Sequence, residues 1–253
     1  MKRFTILPKS PAHIAFLHTA TTHIETFSNL LYAADPNIVG VHFVAQDLLI
    51  DAQQPSIGVS HPDLAKCVKH ALKNAARSGA RVIVCTCSTI GALAEGVTFS
   101  IKKQAITVTR IDRAMADIAV KAGKPINVFV ALESTLQPSL ALLQSSASTA
   151  SAATNHAISC VAQDYPQTVI NNAILVPDAW RFYLNGDTTN YYAAIAQCVL
   201  KHDPNGSHTT VLAQASMAGA VPLLANHGIT ALSSPTLGVL HAVRLVKNLP
   251  QNS

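Results

Sequence analysis

Apolar residues along this chain fall into short continuous runs, separated by stretches in which they recur at helical spacing. The runs at 14–17, 38–44, 82–85, 105–108 and 126–132 predict strands. Between them, 22–34, 62–78, 113–122 and 136–143 predict helices, with Leu64, Val68 and Leu72 on one face and Gly123 as a stop signal. Further on, strands are expected within 157–161 and 170–175, at 210–213 and at 229–232. Helices are expected at 189–201, 216–224 and 235–247, and Asp203-Pro204-Asn205-Gly206 is a turn. The uncharged Ser/Ala/Thr tract at 144–154 reads as the end of a helix, a loop, or both. Strands alternating with helices at this spacing imply an α/β protein with parallel sheets and helices on their faces.

The pattern also repeats. "VIVCTCSTIGA" (82–92) laid over "TVLAQASMAGA" (210–220) puts Ser88 on Ser216, Gly91 on Gly219 and Ala92 on Ala220, each after an apolar strand. Two similar α/β halves follow from this match.

Composition narrows the class. With 49% hydrophobic and 12% charged residues in 253, the chain buries a large core and is not a disordered segment. The net charge of +5 is spread out, with no basic run longer than Lys102-Lys103, and only 5% of residues are aromatic. That is a mildly basic surface, not a nucleic-acid face. No stretch has the length of a membrane span, and residues 1–11 carry no apolar leader core. The five cysteines, Cys67, Cys85, Cys87, Cys160 and Cys198, are odd in number and irregularly spaced, the usage of a reduced, cytoplasmic protein with free thiols. No second cysteine pair or His-x3-His partner stands at zinc spacing, so no metal site is expected.

The chemistry concentrates where strands end. Ligands of open α/β sheets bind beyond the C-terminal strand ends, where the next helix offers unpaired N–H groups. Ser88 and Thr89 are suited to cap such a helix, making a site for a carboxylate. The same field favours a thiolate at Cys87, a base toward carbon or a nucleophile toward an electrophile. Cys85, nearer the strand interior, reads as packing. Glu133, Ser134 and Thr135 leave a second strand, and Gln214, Ala215 and Ser216 a third. His18 and Thr19 end the first strand, where a histidine serves either as a structural hydrogen-bonder or as a catalyst.

"VCTCSTIG", "RIDRAM" (110–115), "ALESTLQPSLALL" (131–143) and "VLAQASMA" (211–218) resemble the aspartate/glutamate/hydantoin racemase superfamily, over most of the chain. The resemblance implies two similar three-layer α/β domains related by a pseudo-twofold, with the active site in the cleft between them. Residues 1–110 would form the first, with 230–253 packing back on it, and 111–229 the second. It implies an isomerase that needs no cofactor, in which two thiols exchange protons on opposite faces of a substrate's α-carbon. A homo-oligomer, dimer or larger, is common in the family, and the expected partner is a small carboxylate rather than nucleic acid or membrane.

Carried over residue by residue, Cys87 matches the first cysteine, although alignment to the glutamate racemase pattern also admits Cys85. The second cysteine falls on Gln214, whose amide exchanges no proton near neutral pH. Ser216 would do so only if strongly activated. The catalytic set is therefore Cys87, Gln214 and Ser216. The substrate-binding set is His18, Thr19, Thr86, Ser88, Thr89, Glu133, Ser134, Thr135, Ala215 and Met217. One thiol leaves three readings: a racemase or isomerase, a single-cysteine decarboxylase or cis-trans isomerase of the same superfamily, and a carboxylate-binding protein without catalysis.

Overall fold

The computed structural model describes residues 12–54, 61–157 and 170–250. These residues divide into two compact units, one running to Ile111 and resuming at Pro235, the other spanning Asp112–Ser234.

The first unit contains β1 (Ile14–His18), α1 (His23–Ala34), β2 (Gly40–Val44), α2 (Asp47–Gln53), α3 (Pro62–Ala76), β3 (Val82–Cys85), α4 (Gly91–Glu95), β4 (Phe99–Ile101) and β5 (Gln104–Arg110). Its sheet runs β2-β1-β3-β5-β4, with the first four strands parallel. β1 and β3 are buried along their whole length, which is why they read as unbroken apolar runs. On one face, Ala15, Leu17, Ile83 and Cys85 share a core with Leu64, Val68 and Leu72 of α3. Burial of each leucine, isoleucine and valine among them stabilises the unit by roughly 1.5–3 kcal/mol. On the other face Phe16 meets Phe27 of α1, with ring centroids 5.5 Å apart. Gly40 lets α1 approach, since a Cβ there would stand 2.5 Å from Leu31.

The second unit contains α5 (Arg113–Lys121), β6 (Ile126–Val130), α6 (Leu136–Ala157), β7 (Ile170–Leu175), α7 (Ala179–Leu184), α8 (Thr188–His202), β8 (Thr209–Leu212), α9 (Val221–Ala225) and β9 (Ala231–Ser233). Its sheet is wholly parallel in the order β7-β6-β8-β9. Central β6 and β8 are fully buried, and Phe129 and Leu212 pack with Tyr191, Ile195 and Val199 of α8. The last helix, α10 (Ser234–Lys247), belongs to the first unit. Gly238 passes so close to Ile111 that a Cβ would collide with its carbonyl, and Lys247 pairs with Asp35 at 2.8 Å.

Several elements differ from expectation. β4 and β5 form an antiparallel hairpin through Lys102 and Lys103, both at positive φ, where Asn-Gly is the usual signal. The Ser/Ala/Thr tract continues α6, with Ser148, Thr149 and Ser151 returning their hydroxyls to the carbonyls four residues back rather than competing for backbone elsewhere. The expected helix at 216–224 is a 3-10 turn (Ala215–Ala220) followed by α9. The expected strand within 157–161 lies outside the described residues from 158 on, as does Cys160; Ala157 closes α6. Among the described residues no helix is long and apolar enough to cross a membrane, and no group of three or more His, Cys, Asp or Glu residues is suited to a metal ion.

Candidate active site

In each unit the strand order reverses direction beside its first strand, between β1 and β3 and between β6 and β8. Chains leaving such a pair turn to opposite sides, so the strand ends open a crevice. His18 and Thr19 end β1, and Thr86, Cys87, Ser88 and Thr89 leave the adjacent β3, paired Leu17 to Cys85. All six are buried.

Hydrogen bonds hold this group. The Thr86 N–H donates to the Leu17 carbonyl at 3.0 Å, and the Thr86 hydroxyl meets Nδ1 of His18 at 2.8 Å. The Cys85 thiol donates to the Cys87 carbonyl at 3.6 Å, so Cys85 supports the turn from below. The Ser88 carbonyl accepts from the Gly91 N–H at 3.3 Å and from the Arg110 guanidinium at 3.3 Å. Arg110 is itself 2% exposed and sets a permanent positive charge beneath the turn. Gly91 leaves room for it, since a Cβ would lie 2.9 Å from Arg110 Nε.

The capping role expected of Ser88 and Thr89 is corrected. α4 starts only at Gly91, its preceding residue Ile90 makes no side-chain cap, and the helix is five residues long. Residues 88–90 are a turn that leads into α4.

The second unit gathers the other set. Glu133, Ser134 and Thr135 form a 3-10 turn after β6, with Glu133 exposed and Thr135 buried. The Ser134 hydroxyl is buried with no partner among the described residues. Gln214 follows β8, and its side-chain oxygen accepts from the N–H groups of Ala131 at 2.6 Å and Leu132 at 3.0 Å. It therefore ties the two strand ends together through its side-chain oxygen. Ser216, half-buried beside Ala215, shares a 2.8 Å hydrogen bond with the Tyr191 phenol. Burial holds that phenol well above its ordinary range, so it stays protonated and cannot activate Ser216 as a base. Met217 is fully buried in the core of this unit.

Three participants went unassigned in the sequence. Arg110 is visible only as a charge ending an apolar strand. Tyr191 has no local signal. His42, on β2, binds His18 Nε2 at 2.8 Å, and its trace is a lone histidine within "VGVHFV".

The first unit thus places a buried thiol among hydroxyls at the switch point of its parallel sheet. The fold is shared with solved racemases and with an arylmalonate decarboxylase. An aspartate racemase from Picrophilus torridus superposes with a TM-score of 0.67 at 11% identity, covering 94% of this chain and 95% of its own. A glutamate racemase isoform from Bacillus anthracis gives 0.61 at 14% identity, over 93% of this chain and 82% of its own. A point mutant of arylmalonate decarboxylase gives 0.57 at 15% identity, over 94% of both chains. No protein-family model matches the chain, and no curated protein matches it in sequence.

Proposed function

We propose that this protein is a cofactor-independent isomerase, racemase-like, acting at the α-carbon of a small carboxylate or amino acid, with Cys87 as the acid–base thiol. The observation that carries this reading is the Cys87 turn: a thiol flanked by Thr86, Ser88 and Thr89 at the β1/β3 switch point, braced by Arg110. A thiolate there takes the α-proton, and the electron pair moves into the carboxylate as an enediolate. That charge needs donors. The Thr86, Ser88 and Thr89 hydroxyls beside the thiol suit this.

Gln214 favours a second reading. With one thiol, Cys87 would protonate an enediolate left by loss of CO2, or add to an alkene, as a single-cysteine decarboxylase or cis-trans isomerase. The test is incubation without added cofactor of L-aspartate, L-glutamate, a hydantoin and an arylmalonate, followed by chiral chromatography and CO2 detection. Racemised product supports the first reading and CO2 the second. Full turnover by Cys87→Ala would refute both.

A further inference from the structure

His18 and His42 belong to a longer chain of groups. The Thr86 hydroxyl meets His18 Nδ1 at 2.8 Å, His18 Nε2 meets His42 Nδ1 at 2.8 Å, and His42 Nε2 meets the Ser28 hydroxyl at 2.9 Å. Burial falls steadily along it. Thr86 and His18 are buried, His42 is half-buried and Ser28 is exposed on α1. The two imidazoles lie within 12° of one plane with centroids 5.1 Å apart, the in-plane arrangement of a ring-to-ring hydrogen bond.

All four ring nitrogens are engaged, so the tautomer of one ring dictates that of the other. Either sense is fully satisfied. If Thr86 donates to His18, each bond points outward and Ser28 gives its hydrogen to the Ile24 carbonyl at 2.8 Å. If Ser28 donates to His42, each bond points inward and Thr86 gives its hydrogen to the Leu17 carbonyl at 3.2 Å. A hydroxyl with a spare acceptor stands at each end, which a merely structural chain does not require.

We propose that Thr86, His18, His42 and Ser28 form a relay that exchanges protons between the Cys87 turn and solvent, a role that rests on the acid–base reading of that turn. A proton arriving at Thr86 Oγ1 displaces the hydroxyl hydrogen to His18 Nδ1. The hydrogen on His18 Nε2 passes to His42 Nδ1, and that on His42 Nε2 passes to Ser28 Oγ, whose own hydrogen leaves to water. One proton enters, one leaves, neither ring carries a net charge, and the return of a proton resets the chain.

Both rings are neutral near pH 7. Burial lowers His42 to about 4, and burial, with the neighbouring His42 and His23, lowers His18 to about 2. His23, the other titratable group against His18, is 6.1 Å away ring to ring and is likewise held below its ordinary value by burial. Phe16 and Phe27 complete the surroundings.

The test reads solvent exchange of the His18 ring N–H by NMR on the 15N-histidine-labelled full chain, and needs no substrate. A relay gives fast exchange in the wild type. It slows by roughly tenfold or more in His42→Gln, which cannot pass a proton near neutral pH. In His42→Ala, millimolar imidazole restores it. Exchange that is slow in the wild type, or unchanged or faster in a folded His42→Gln, overturns the proposal. Cys87→Ala should leave this exchange intact while abolishing turnover. If turnover instead survives Cys87→Ala, the proposed function falls and the exchange result still decides the relay.

Discussion

In the first unit, the turn after β3 carries Cys87 and gives its Ser88 carbonyl to the Arg110 guanidinium. In the second, the turn after β8 holds Gln214 across the N–H groups of Ala131 and Leu132. The frames are alike: first strand, outer strand, then two strands on the other side, β2-β1-β3-β5 against β7-β6-β8-β9. The sequence-matched glycines do like work, Gly91 admitting Arg110 and Gly219 admitting the Tyr192 ring. What differs is which polar groups the turn leaves for chemistry. The first turn keeps a thiol whose neighbours are braced from below. The second spends its side-chain oxygen on the backbone and pairs Ser216 with a phenol. Equivalent positions in the two frames thus divide into a turn that carries a thiol, the one proposed to react, and a turn whose side chain holds the backbone.

The largest expected difference is kinetic. Cys87→Ala should lower turnover by roughly 10²–10⁴-fold, the range for an acid–base group. Ser216→Ala should cost about tenfold, one hydrogen bond's worth. Chiral chromatography on the probe the wild type turns over compares the two, and equal losses would erase the asymmetry.

Next comes stability. Gln214→Ala strips two N–H groups of their acceptor. Ala131 is 3% exposed and Leu132 is half-buried, so water reaches one better than the other. A loss of about 1–3 kcal/mol in urea denaturation is expected. Gly219→Ala should cost about 1–3 kcal/mol, because its Cβ meets a packed aromatic ring. Gly91→Ala should likewise cost about 1–3 kcal/mol, because its Cβ meets the buried, hydrogen-bonded side chain of Arg110, and should disturb the Cys87 turn and lower activity.

In pH, the two units should yield at opposite ends. His18 and His42 resist protonation when folded, while in the unfolded chain they take protons below about 6.5. The first unit's stability is therefore intact above that pH and falls as pH drops toward 4. Tyr191 resists ionisation when folded, so the second unit's stability is intact below pH 10.0 and falls above it. Asp203, also in the second unit, is pushed up by burial, but donation from the backbone and side chains of His208 and Ser207 outweighs this and holds it low. Its contribution is lost only below the ordinary 3.8. The single tryptophan, Trp180, lies in the second unit. Its fluorescence should outlast circular dichroism on acidification and fail first in alkali. Coincident transitions at both extremes would contradict this.

The central strands were legible because full burial on both faces leaves an apolar run, as in 82–85 and 126–130. The hairpin at Lys102-Lys103 was not, because lysines carry no turn signal. α2 and α7, seven and six residues long, are too short to show a period. At the site, Cys87 and the hydroxyls stood out by type and place. The rest depends on what lies across the sheet: Arg110 under the turn, His42 one strand over, and Gln214 reaching to β6. No local pattern encodes such contacts, and for Ser88 and Thr89 the local pattern pointed to caps where a turn stands.

The most direct test of the reacting turn is solvent deuterium incorporation at Cα, followed by proton NMR in D2O over aspartate, glutamate, a hydantoin and small dicarboxylates. The wild type should exchange the α-hydrogen of at least one of them, and Cys87→Ala should lose that exchange while remaining folded. Exchange that persists undiminished in Cys87→Ala would contradict the assignment of the thiol.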